Sequence, residues 1–182
     1  FSFSRLNEAD PVLGVDMSST GEVGCIGDNL DDALLKAMLS VGHKIPQKAV
    51  LISSGNARQK ADILPACQLL SAKGIEIYAT EGTCRYLNEN GVPAKLALRP
   101  DETSTEGHPS AIDLIRDHTV DIVINIPKNY TRGELSNGYR MRRAAIDFNV
   151  PLITNSRLAT AFIRALCAEP LENISIKGWD EY

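Results

Sequence analysis

The residues best suited to chemistry in this chain are hydroxyls and cations, not nucleophile–base pairs. Ser53, Ser54 and Gly55 close one apolar run, and Lys60 follows shortly after. Thr80-Glu-Gly-Thr83 stands directly ahead of a helical pattern, and Arg99 closes a weaker apolar run. Asn125 ends another, followed by Lys128, and Thr154-Asn155 ends the last. T-x-G-T at a helix N-terminus offers backbone N–H groups, two hydroxyls and a favourable dipole to an anion. Lys60 and Arg99 add charge suited to a phosphate or carboxylate. Each has a plainer reading alone: T-x-G-T is also an ordinary cap, Lys60 a solvated helix charge, and Arg99 before Pro100 a loop residue. Their convergence on the ends of apolar runs is what points to an anion site.

Other chemistry is poorly supplied. His43, His108 and His118 are far apart and lack motif partners, and no G-x-S-x-G, P-loop or G-x-G-x-x-G occurs. Cys25, Cys67, Cys84 and Cys167 are scattered, without a C-x-x-C. That argues against a zinc site or a disulfide framework and for a reducing compartment. No catalytic residue and no metal ligand is assigned. The cluster Arg140, Arg142 and Arg143 reads first as helix cations paired with nearby acids; the sharper reading is an interdomain contact or a distant support for the anion site.

These residues need elements to position them. Apolar runs predict strands over 49–54, 75–80, 94–98, 120–125 and 151–154. Helical periodicity starts at Asp28, and again over 60–73, where Pro65 moves the expected start toward Ala61 or Asp62. Further helices are expected over 83–90, from about Pro109 to Asp117, over 139–148, and over 156–167 with Ser156 as cap. Residues 128–137 read as a loop. Alternation of this kind implies an α/β fold, a three-layer α/β/α sandwich around a parallel sheet of about five strands. In such a sheet ligands collect beyond the C-terminal strand ends, where the hydroxyls and cations fall.

The 182 residues suit one α/β domain with a short appendage. With 43% apolar and 23% charged residues the balance is that of a globular domain. A net charge of −4 does not favour nucleic acid or an acidic membrane surface, and no apolar run reaches spanning length. Residues 1–27 are Gly-rich, weakly periodic and unlike a signal peptide.

The stretch DPVLGVDMSSTGEV, residues 10–23, resembles the DPxLGxEMxSTGEV signature near the end of the second ATP-grasp unit of carbamoyl-phosphate synthases, with Asp16 in place of Glu. ALLKAM at 33–38, ATEGT at 79–83, DIVIN at 121–125, YRMRR at 139–143 and PLIT at 151–154 follow in that family's order. The resemblance implies that residues 1–27 are the remnant of the preceding synthetase unit or linker, and that 28–182 form the methylglyoxal-synthase-like regulatory domain of the large chain. It implies an effector-binding domain with no cofactor of its own, in a cytoplasmic or organellar parent that uses ATP with Mg or Mn. The parent serves arginine or pyrimidine synthesis. The implied partners are a phosphorylated effector of the uridine nucleotide or IMP type, the rest of the large chain, and a glutaminase subunit or domain. Carried over by position, Lys60, Thr80, Thr83 and Asn125 match residues that hold the effector in bacterial relatives. Arg99 takes the place of a phosphate-binding Lys, whereas the N-acetylglutamate-dependent relative has Trp there. Lys128 replaces an Asn of that relative. Ser53 and Ser54 complete the expected set. The alternative is a stand-alone methylglyoxal synthase, but its catalytic carboxylate positions fall near Ser54, His108 and Asn137, with only Glu106 and Glu134 nearby.

Overall fold

The computed structural model describes residues 9–12, 23–43, 45–103, 107–127, 132–168, 174 and 177–181, with side chains apart from those of 132–136 and 179. The elements run α1 (Leu30–Ser40), β1 (Ala49–Ser54), α2 (Ala57–Ala72), β2 (Glu76–Ala79), α3 (Glu81–Glu89) and β3 (Lys95–Leu96). They continue with α4 (Ala111–Arg116), β4 (Ile122–Ile126), α5 (Arg132–Asp147), β5 (Leu152–Ile153), α6 (Ser156–Ala168) and a 3-10 turn (Trp179–Glu181). Five parallel strands form one sheet in the order β3-β2-β1-β4-β5.

Both faces of the sheet are apolar because both are covered, as parallel sheets require. On one face Val50, Ile52, Ile77, Ile122 and Ile124 pack against Leu35 of α1, Ile63 and Leu70 of α2, Leu87 of α3 and Phe162 of α6. On the other, Leu51 and Val123 meet Leu114 and Ile115 of α4 and Met141, Ala144 and Ala145 of α5. This is the expected α/β/α sandwich. β4 is buried throughout. Cys67 lies within the first layer, and burial pushes its thiol up to about 12, which makes it inert at neutral pH. Cys167 is only half-buried.

Several boundaries differ from the sequence reading, each for a local reason. α2 begins at Ala57, ahead of the expected Lys60, because Asn56 and Gln59 close a capping box. Pro65 does not limit that helix. Pro65 and Ala61, the residue whose carbonyl loses its partner, are both exposed, so water can serve the carbonyl. Leu69 of α2 is exposed at 40%, away from the buried face formed by Ile63, Cys67 and Leu70. α5 begins at Arg132 and takes in half of the expected loop. α6 is capped by Asn155, whose Oδ1 accepts the Leu158 N–H at 3.0 Å, so Ser156 is its first residue and not its cap.

Asp121 fixes the start of the two central strands. Its Oδ2 accepts the N–H groups of Gln47 at 2.9 Å, Lys48 at 2.7 Å and Ala49 at 3.4 Å. Asp121→Ala is expected to lower stability by about 1.5–3 kcal/mol, the range for hydrogen bonds to a charged acceptor. A urea melt should show a lower midpoint with an unchanged slope.

Candidate anion-binding site

The strand order reverses between β1 and β4, so the crevice of an open α/β sheet opens over their C-terminal ends. Ser53 of β1 lies opposite Asn125 of β4. On the other side Ile52 pairs with Ala79, which sets Thr80 beside Ser53. Neighbouring residues in register point to the same face. Thr80, Ser53 and Asn125 therefore make a polar row across three strands, on the face roofed by α5. The Thr80 hydroxyl donates to Ser53 Oγ at 3.1 Å. Asn125 is buried, and its Oδ1 accepts from Arg142 Nη1 at 2.8 Å.

Arg142 is 1% exposed. Its Nε donates to Asp10 Oδ1 at 2.6 Å and its Nη2 to Oδ2 at 2.5 Å, a two-pronged ion pair. The Arg cluster thus divides. Arg143 makes the plain helical pair with Asp147, and Arg140 donates to the Pro100 carbonyl at 3.2 Å. Arg142 instead braces Asn125 of β4 and pairs with Asp10. Gly138, one turn earlier in α5, makes this possible. A Cβ there would lie 2.6 Å from Arg142 Nη1 and 3.5 Å from Asn125 Oδ1. Gly→Ala inside a helix ordinarily stabilises by about 0.5–1 kcal/mol. Gly138→Ala is expected to do the reverse and cost about 1–3 kcal/mol, because the guanidinium it strikes is pinned and the site is overpacked. A thermal melt checks the sign.

The second half of the site lies between β1, α2 and α3. Thr80 is the N-cap of α3 but makes no side-chain cap bond, because its hydroxyl is turned to Ser53. Thr83 falls inside the first helical turn, because α3 begins at Glu81, two residues before the expected start at Thr83. Its Oγ1 accepts the Ser54 N–H at 3.0 Å and donates to the Ser54 carbonyl at 3.2 Å. Thr83 is therefore a clamp between α3 and β1, and it can offer a ligand little more than a spare lone pair. The N–H groups of Thr83 and Cys84 turn back to the Thr80 carbonyl, both at 2.8 Å. Those of Glu81 and Gly82 are left at the open helix end. A Cβ on Gly82 would lie 3.2 Å from Lys60 Nζ, so the ammonium rests against this turn where a side chain is missing. Glu81 is an exposed acid in the same turn. Its charge suits the helix dipole but opposes an anion, and Lys60 is placed to offset it. Ser54 is 6% exposed, and its Oγ is the buried side-chain polar atom left without a partner among the described residues. Such a hydroxyl costs about 1–3 kcal/mol unless something else satisfies it.

Arg99 follows the bridge between Leu98 and Ser110 at the outer edge of β3. Its N–H donates to Glu102 Oε2 at 2.7 Å, and the Glu102 N–H returns to its carbonyl at 3.0 Å. Asn137 of α5 holds the Asp101 carboxyl below its ordinary range by hydrogen bonding, and the charges of Arg99 and Arg140 add to that. The turn is thus tied to α5, but acids stand beside Arg99. Lys128 lies outside the described residues, as do Glu106 and the side chain of Glu134. Asn155 is occupied as the α6 cap.

A cavity of about 1120 Å³ runs along the open side of β5, between Thr154 at one end and His118 and Asp121 at the other. None of Ser53, Ser54, Lys60, Thr80, Thr83, Arg99 or Asn125 lines it. Its lining also reaches Ile126 and Pro127 at the end of β4 and Gln59 of α2, whereas the polar row itself lies at the order reversal, where ligands of such sheets bind. Among the described residues no group of His, Cys, Asp and Glu is placed to hold a metal, and no helix is long and apolar enough to cross a membrane.

No residue type or spacing in the sequence marks Asp10, Gly82 or Gly138 as part of a site. Asp10 belongs to the segment that carried the family signature, which was its only signal. The two glycines are legible only once the side chains they make room for are placed.

Comparison with known proteins agrees with this architecture. The family model described as MGS-like domain matches residues 62–154. The chain is 46% identical over 172 residues to multifunctional protein ura1 of Schizosaccharomyces pombe, which covers 92% of this chain and 8% of that protein. It is 41% identical over 177 residues to multifunctional protein CAD of Squalus acanthias, covering 91% of this chain and 8% of that one. Against mitochondrial carbamoyl-phosphate synthase [ammonia] of Homo sapiens it is 42% identical over 167 residues, covering 91% of this chain and 11% of that protein. The chain spans about a tenth of the length of these curated relatives. The matched span takes in β2 to β5, the N-terminus of α3 against which Lys60 rests, and Arg142 of α5: the chain belongs to the MGS-like domain family.

Proposed function

We propose that this chain is a regulatory effector-binding domain of a carbamoyl-phosphate synthase. It holds the phosphate of a nucleotide-type effector at the N-terminus of α3, over the ends of β1, β2 and β4. The observation that carries this is the polar row Thr80, Ser53 and Asn125 at the order reversal, flanked by the Lys60 ammonium against Gly82. The Ser54 hydroxyl, without a partner among the described residues, supports it, as does the name carbamoyl-phosphate synthase on a relative. Backbone N–H groups with one adjacent cation suit a phosphate. Arg99 adds a second cation at the β3 side, where the resemblance puts Trp in an N-acetylglutamate-dependent relative. ATP chemistry belongs to the rest of the large chain, and the glutaminase is a partner of that whole.

Calorimetric titration with UMP, UTP, IMP and N-acetylglutamate tests the reading. One or more of the phosphorylated compounds should bind and N-acetylglutamate should not. Failure of all three would end it. Steady production of methylglyoxal from dihydroxyacetone phosphate would replace it with an enzyme.

A further inference from the structure

A guanidinium donates hydrogen bonds and accepts none. The end of the Asn125 amide that meets Arg142 is therefore its oxygen, as the 2.8 Å contact has it. The amide nitrogen is the end left for a ligand. Arg142 cannot turn away from this task. It is 1% exposed, and its other two nitrogens each donate to an oxygen of Asp10. Asp10 belongs to a segment remote in sequence from the sheet, and that segment is seated on α5. The Ala9 carbonyl accepts from Arg143 Nη1 at 3.4 Å, and Pro11 is buried.

We infer that Asp10 and Arg142 are positioning residues for the ligand site. Through the Arg142 fork they fix Asn125 as a donor, so that the site reads an acceptor oxygen, and they make this donor depend on the seating of residues 9–12. The inference rests on the ligand site proposed above. Linkage makes the dependence reciprocal: a ligand that uses the Asn125 N–H groups tightens the seating of the segment as much as the segment tightens the ligand. Asp10 then carries information between the pocket and whatever holds residues 9–12 in place.

The test is a double-mutant cycle in the full 182-residue chain, read by UMP affinity. Asp10→Asn keeps the size of the side chain and removes its charge. It is expected to weaken UMP by about twofold to twelvefold, the scale of one hydrogen bond. In an Asn125→Ala background the same change should have no further effect, because the residue through which it acts is gone. Arg142→Lys keeps a cation beside Asp10 but not the fork. It should reproduce the loss, and it serves where Asp10→Asn folds poorly. Unchanged UMP affinity in both single variants overturns the inference. An equal loss with and without Asn125 also overturns it, since it marks a general structural effect. A parent chain that binds no UMP is a different result: it removes the ligand site itself, and the inference with it.

Discussion

Asp10→Ala is expected to cost about 3–5 kcal/mol of folding stability, the penalty for leaving a buried charge without its partner. Asp10 itself is not a core residue; its side chain is 27% exposed. The cost arises at Arg142, which is 1% exposed and whose guanidinium joins Asn125 of β4 to Asp10. The exposed pair Arg116–Asp113 provides the contrast, with both side chains about half exposed. Such pairs are screened and contribute little. Asp113→Ala should leave the urea midpoint nearly where it was, while Asp10→Ala moves it far down. Equal small shifts would show that Arg142 finds another partner when Asp10 is gone.

The second large effect is expected on binding. Replacing both Lys60 and Arg99 with Ala should weaken a phosphorylated ligand by about 1.5–3 kcal/mol for each charged hydrogen bond removed, or about tenfold to over a hundredfold per bond. The two should not contribute equally. The Lys60 ammonium rests on the Gly82 turn at the open end of α3. Arg99 stands in a turn that also holds Asp101 and Glu102, which partly cancel its field. The single Lys60→Ala variant should therefore lose more affinity than Arg99→Ala. Both losses should shrink as salt is raised. Under the proposed function, the same changes in a parent synthase should alter the response to effector. Calorimetry at two ionic strengths checks the first part, and a double variant that binds as tightly as the parent contradicts it.

The sheet was legible in the sequence because burial on both faces leaves near-continuous apolar runs, as in 49–54 and 120–125. Helix limits were less so. The start of α2 depends on the Asn56–Gln59 box, which sequence analysis passed over in favour of Pro65. The start of α5 lies in a polar stretch with two glycines, where no apolar stripe marks a helix. Ser53, Ser54 and Asn125 stand at C-terminal strand ends, as the apolar runs implied, yet what each candidate side chain touches was not readable. Thr83 looks like a ligand hydroxyl in sequence and is a clamp on Ser54 in space. Asp10 and Arg142 are 132 positions apart, and no local pattern can announce that they meet.

The most direct measurement of the central claim is the structure of the chain with UMP bound. The account predicts the phosphate within hydrogen-bonding distance of the Gly82 turn and Lys60, with Asn125 donating to the ligand. A nucleotide in the groove beside β5, or at the opposite strand ends near His118 and Asp121, would contradict it.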